Sequence, residues 1–214
     1  MRRGFVLAAF FVAGCAGGPP APDWQVNAHA SLVAHTAAYL AGRDRVARQE
    51  LALARREVAR TADANQMARV ELIACAARIA SLESTDCPAF EALAADADVA
   101  LRAYADYLAG RWAGLDPKLL PPAQRAVPAS RDALATLAAI DEPLSRLVAA
   151  AVLLRAGRLP PAGIELAIET AARQGWRRPL MAWLGFDRDR CKAAGDTVCA
   201  AERERRIDYA SGAR

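Results

Sequence analysis

The chain has 214 residues, 54% of them hydrophobic, 6% aromatic and 24% charged, enough for one domain with a real core. The formal net charge is +4 and falls to +2 once residues 1–14, which carry Arg2 and Arg3, are set aside. That balance, without a clustered basic face, argues against a nucleic-acid surface. Nearly all of the basic charge is arginine, since Lys118 and Lys192 are the only lysines. Alanine dominates, which favours helices and lets them approach closely.

The N-terminus reads as an export signal. Arg2 and Arg3 form a basic head, Gly4 to Ala13 is almost wholly apolar, and Gly14-Cys15 closes the run. The run is too short to span a bilayer, which takes about 20 apolar residues. Gly17-Gly18-Pro19-Pro20 then breaks any regular structure, so a buried core element fits poorly. The four residues Val12-Ala13-Gly14-Cys15 resemble the lipobox of bacterial lipoproteins, with Val12 standing where that family most often has Leu. An ordinary cleaved signal is the alternative. The resemblance implies that residues 1–14 are removed and that Cys15 carries a diacylglycerol and an N-acyl chain. It also implies an outer-membrane destination, because Ala16 is no inner-membrane retention signal. Two or three buried acyl chains hold stably where one holds only marginally. Residues 15–23 then form the lipidated cysteine and a flexible tether.

The rest, residues 24–214, is expected to be a single all-α domain. Asp23 to Leu40 carries Trp24, Leu32, Tyr39 and Leu40 at helical spacing, and Gly42 stops it. A second helix is expected from about Arg45 to Arg60. A third runs from about Ala64 to Leu82, with Met67, Val70, Leu72, Ile73 and Ile79 on its buried side. Ser84-Thr85-Asp86 caps a fourth, with Pro88 in its first turn, that is expected to continue to Gly110. Residues 111–129 hold Pro117, Pro121, Pro122 and Pro128 and read as the one long irregular segment. Helices resume at Ser130, Asp141, Pro161, near Arg178, and at Asp196, with no strand-like alternation.

Short connections make successive helices antiparallel hairpins, arranged as a solenoid or as a compact bundle. Three segments share a glycine five residues before a small residue: Gly42 and Ala47, Gly157 and Ala162, Gly195 and Ala200. These segments resemble degenerate tetratricopeptide hairpins. Gly42, Ala47, Leu51 and Ala54 fit that pattern, and so do Gly157, Ala162 and Leu166, whereas Glu169 and Glu204 depart from it. The "YLAGR" of Tyr39 to Arg43 recurs 68 residues downstream, twice the repeat of about 34, and Leu115 then departs.

Five cysteines are present, and lipidating Cys15 leaves an even four in an oxidising compartment. Cys191 and Cys199 lie four residues either side of Gly195, and Cys75 and Cys87 six either side of Ser81. Equidistant points face each other across a hairpin, so Cys75–Cys87 and Cys191–Cys199 are the preferred disulfides. Four buried reduced thiols are the alternative. Zinc fits poorly, because no short Cys-x₂₋₄-Cys pair exists.

No catalytic set is apparent. His29 and His35 stand about 240° apart on one helix and do not converge on a metal. Glu165 and Glu169 share a face, without the histidine of a di-iron motif. Glu71, Glu83 and Glu91 are the acids that a single-acid mechanism would use. No nucleophile elbow, zinc-protease helix or P-loop occurs. No metal and no cofactor beyond the acyl chains are expected. "GWRRPLMAWLGF" (175–186) puts Trp176, Leu180, Trp183 and Leu184 on one face. It is either a core stripe or a partner-binding patch in which Trp176, Arg177, Arg178 and Trp183 take part. The tail holds Glu202 and Glu204 near Arg205 and Arg206, a mixed-charge solvated helix.

Together these features lead to the expectation of a periplasm-facing, membrane-anchored protein, not an enzyme, that holds a partner protein of the envelope. The alternative is a cell-wall enzyme or a regulator of one. An exposed apolar or arginine-lined groove favours the first, and a deep polar pocket with one buried glutamate the second.

Overall fold

The computed structural model describes residues 20–83 and 86–212. Cys15, the signal segment, the tether up to Pro19, and Ser84 and Thr85 of the expected cap lie outside the described residues. Within them the fold is all-α, built from ten α-helices with no strand. They are α1 (Asp23–Leu40), α2 (Asp44–Ala59), α3 (Ala64–Ala80), α4 (Pro88–Glu91) and α5 (Val99–Leu108), then α6 (Ala133–Ala138), α7 (Pro143–Arg155), α8 (Pro161–Arg173), α9 (Arg177–Ala193) and α10 (Thr197–Ser211).

The first turn shows why the hairpins form. Gly42 adopts φ 79°, which lets Arg43 N–H reach Ala38 C=O at 2.8 Å and Gly42 N–H reach Tyr39 C=O at 2.9 Å. This Schellman pair satisfies two orphan carbonyls and turns the chain in three residues. The same long bond recurs at Arg158 to Leu153, Trp176 to Ala171 and Asp196 to Cys191. At Glu83 to Arg78 the left-handed residue is Leu82, at φ 56°. Ala47, Ala54 and Ala200 are buried as the hairpin signature expects. Ala162 is not: it is exposed, and Gly163, one residue later, is the buried small residue, set against Leu159 of its own connection. A Cβ on Gly163 would come within 2.5 Å of the Leu159 side chain.

Two cores result. A small one joins α1, α2 and α3 through Ala28, Ala54, Val58 and Val70. The main one gathers α3, α5, α7, α8 and α9, including Leu72, Ile79, Phe90, Tyr107, Leu147 and Trp183. α3 lies between them and packs on α1, α2, α5 and α7. α9 touches α1, so the last hairpins close back on the first.

The expected fourth helix is broken into α4 and α5. The break has a tertiary cause. Asp98 N–H donates to Asn65 Oδ1 of α3 at 2.7 Å instead of to its own helix, and the Asp98 carboxylate caps Leu101 N–H at 2.8 Å. The proline-rich segment is irregular, with short 3₁₀ turns at Pro117–Leu119 and Pro122–Gln124, yet it is anchored. Gln124 is buried, accepts the Tyr107 hydroxyl, and donates to Ser145 C=O at 3.1 Å. Both expected pairs sit as disulfides, Cys75–Cys87 with Cα atoms 5.6 Å apart and Cys191–Cys199 at 5.9 Å.

Candidate functional site

α1 presents two apolar faces. Ala28, His35 and Ala38 turn inward and are buried. A second stripe, Leu32, Val33, Thr36 and Ala37, follows the i, i+3, i+4 spacing of one helix face and, with buried Leu40 at its end, lines a hollow of ≈ 310 Å³. Ile73 of α3 forms the opposite wall and Trp176 one end. Ile73 was expected on the buried side of α3; it is 38% exposed, and Val33 is 56% exposed. The walls offer few polar groups: the Thr36 hydroxyl, the His29 ring and the Trp176 indole. This is a helix-lined apolar groove of the kind that takes up another apolar surface.

The "GWRRPLMAWLGF" segment divides between core and surface. Trp183 is fully buried, and its Nε1–H donates to Ala80 C=O at the end of α3, 3.0 Å away. Trp183 is therefore excluded as a partner-binding residue. Arg178 is corrected as well. Its Nε donates to Tyr39 C=O at 2.8 Å, its Nη1 to Glu83 at 2.6 Å and its Nη2 to the Asp44 carboxylate. Its guanidinium lies 4.3 Å over the Tyr39 ring, whose hydroxyl donates to Glu83. Arg178 thus pins the start of α9 to α1, to α2 and to the turn after α3. Burial, reinforced by Glu83, pushes the Tyr39 hydroxyl well above its ordinary range. Of the four candidates, Trp176 lines the groove, while Arg177 is exposed and lines a different hollow with Arg178, Met181 and Glu83.

The candidate acids are engaged elsewhere. Glu71 is buried and accepts both Nε and Nη2 of Arg55 at 2.7 Å, a bidentate pair that neutralises it. Glu83 belongs to the Arg178 joint, and Glu91 lies 3.9 Å from Arg111 on the surface. Glu165 accepts from Arg203 and Arg206, while Glu169 pairs with Arg173 at 3.9 Å. Asp187, Cys191 and Cys199 are close enough to share an ion, but the two sulfurs are bonded to each other and Asp187 is held by two arginines. The histidines do not converge: His29 is exposed at the groove and His35 is buried on the inner face.

His35 has one further consequence. Its Nδ1–H donates to Ala47 C=O at 2.8 Å, while Nε2 is buried with no partner among the described residues. Burial lowers its pKa below 6.5, the Ala47 bond opposes this, the Arg55 and Arg78 charges lower it further, and Glu71 raises it. The folded chain therefore binds fewer protons than the unfolded chain between that lowered value and 6.5. Stability from this site is full above pH 6.5 and declines as pH falls below it. Urea unfolding of the wild type is expected to lose more stability from pH 7 to pH 5 than a His35→Gln chain does. Equal losses would show that His35 does not titrate as a buried base.

No protein-family model, no curated protein and no solved structure matches this chain. Among the described residues no helix is long and apolar enough to cross a membrane.

Proposed function

We propose that the protein is an outer-membrane lipoprotein, anchored through acyl chains on Cys15, whose periplasmic TPR-like helical domain holds a partner protein of the envelope. The observation that carries this reading is the apolar groove between α1, α3 and Trp176. Its exposed Val33 and Ile73 serve no internal packing that would explain them. The glycine-turned hairpins supply a rigid scaffold on which such a groove keeps its shape. The lipobox resemblance of residues 12–15 and the pairing of the four remaining cysteines support export. A cell-wall enzyme would need a glutamate at the wall of a pocket. Among the described residues Glu71 is the one buried glutamate, and it is spent on Arg55. Glu142 lines a hollow of ≈ 660 Å³ but is exposed and caps the Leu144 and Ser145 N–H groups, and Glu83 and Glu204 line other hollows while paired with Arg178 and Arg188, so the adaptor reading is the better supported.

Membrane fractionation with intact-mass analysis tests the anchor. The wild-type chain is expected in the outer-membrane fraction, starting at Cys15 and heavier by its acyl groups. Cys15→Ala is expected to lose both the added mass and the outer-membrane position. An unacylated wild-type chain free in the periplasm would overturn the proposal.

A further inference from the structure

The apolar groove does not end at Ile73. The same side chain lines a second hollow, of ≈ 350 Å³, on the other flank of α3. Its floor is Leu72, Leu101 and Leu120, all buried. Its rim is cationic, with Arg69, Lys118 and Arg125 all exposed. Arg69 has one distant carboxylate, Asp98 at 3.8 Å, and Arg125 donates Nε–H to Leu120 C=O. No carboxylate lines either hollow among the described residues. The two hollows flank α3 and share Ile73, the first apolar beside α1 and the second positively rimmed beside α5.

Resting on the adaptor reading above, we infer that the two hollows together bind an amphipathic helix of the partner laid across Ile73, with apolar anchors over α1 and aspartate or glutamate side chains over α5. Two features select this occupant. An extended segment would bring backbone N–H and C=O groups that the apolar walls cannot satisfy, whereas a helix satisfies its own. The cations at one end, with no acid among the lining residues, complement acidic side chains and disfavour basic ones. Apolar anchors at i, i+3 or i+4, and i+7 match the ridge spacing of α1.

Selection from a randomised helical-peptide display library on the purified full-length, disulfide-intact protein tests this. Enriched peptides are expected to combine that apolar stripe with Asp and Glu at one end. Affinity of the best peptide should fall about tenfold or more with Val33→Glu or Ile73→Glu, as expected when an apolar anchor loses its pocket. Lys118→Glu with Arg125→Glu should weaken it several-fold, as should raising salt. These four positions are exposed, so circular dichroism should show the fold retained. Enriched helices without an acidic bias, or affinity unmoved by the Lys118 and Arg125 reversals, would overturn the inference and leave the adaptor reading standing. Peptides indifferent to Val33 and Ile73 would contradict both. Selection of no helix, together with uptake of a fluorescent fatty acid, would also overturn it.

Discussion

Trp183→Ala is expected to cost about 3–5 kcal/mol of stability, the range for truncating a buried aromatic. Trp183 is the largest fully buried side chain, set 6.4 Å edge-on to Phe186. It does two jobs at one contact. Its ring fills the space between α9 and α3, and its Nε1–H satisfies the Ala80 carbonyl, one of the last-turn carbonyls a helix leaves unpaired. Trp183→Phe keeps one aromatic ring but drops the bond and part of the indole; the unpaired Ala80 carbonyl alone should cost about 1–3 kcal/mol, with the lost packing added to it. Urea denaturation measures both. A cost below about 1 kcal/mol for Trp183→Ala would mean that α9 is not fastened to α3 by this residue.

The second large effect is expected at Asp187, which is 2% exposed. It accepts from Arg190 Nε at 2.7 Å and from Arg203 Nε of α10 at 2.8 Å. Arg203, its side chain only 12% exposed, also reaches Glu165 of α8, and Arg206 joins Glu165 at 3.3 Å. This network matters because α10 buries just one residue, Ala200. Docking of α10 therefore depends on the charges and on the Cys191–Cys199 bond more than on apolar area. Removing one partner of a buried pair leaves the other charge uncompensated, so Asp187→Ala should cost about 3–5 kcal/mol. Hydrogen exchange should show the loss concentrated in residues 197–211, deepened by reducing the disulfide. Exchange unchanged across α10 in the reduced variant would show that its docking comes from elsewhere.

The helical hairpins were legible because their signals are local. Pro22 before α1 and Gly42 after it mark the ends of that helix, and both cysteine pairs follow from equal distances about a turn. The break before α5 was not legible, since Asp98 N–H is diverted to Asn65 by a contact 33 residues away. Ala162 looked like the packing residue because the signature counts from Gly157. After the longer connection the small residue that is buried is Gly163, one position on, packed against Leu159. Arg178 reads from the sequence as a partner-binding candidate, and only tertiary placement beside Tyr39, Asp44 and Glu83 makes it a joint.

The groove itself left a partial trace. Val33 and Ala37 extend the apolar surface of α1 outward from Leu32 and Leu40, which pack inward, so α1 carries more apolar residues than its inward face uses. Ile73 follows Leu72 in a stretch of α3 buried on most sides, 74–77 included, and only its position one turn after exposed Arg69 marks the outward face. The apolar content alone does not show which side faces solvent; the Arg69–Ile73 spacing does.

Site-specific photo-crosslinking in intact envelopes tests groove-mediated partner binding most directly. A photoreactive residue at Val33 or Ile73 should give the same discrete adduct, weakened by Cys15→Ala, while one at exposed Arg48 on α2 should give none. No adduct from either groove position, or the same adduct from Arg48, would contradict the assignment of the α1–α3 groove as the partner-binding surface.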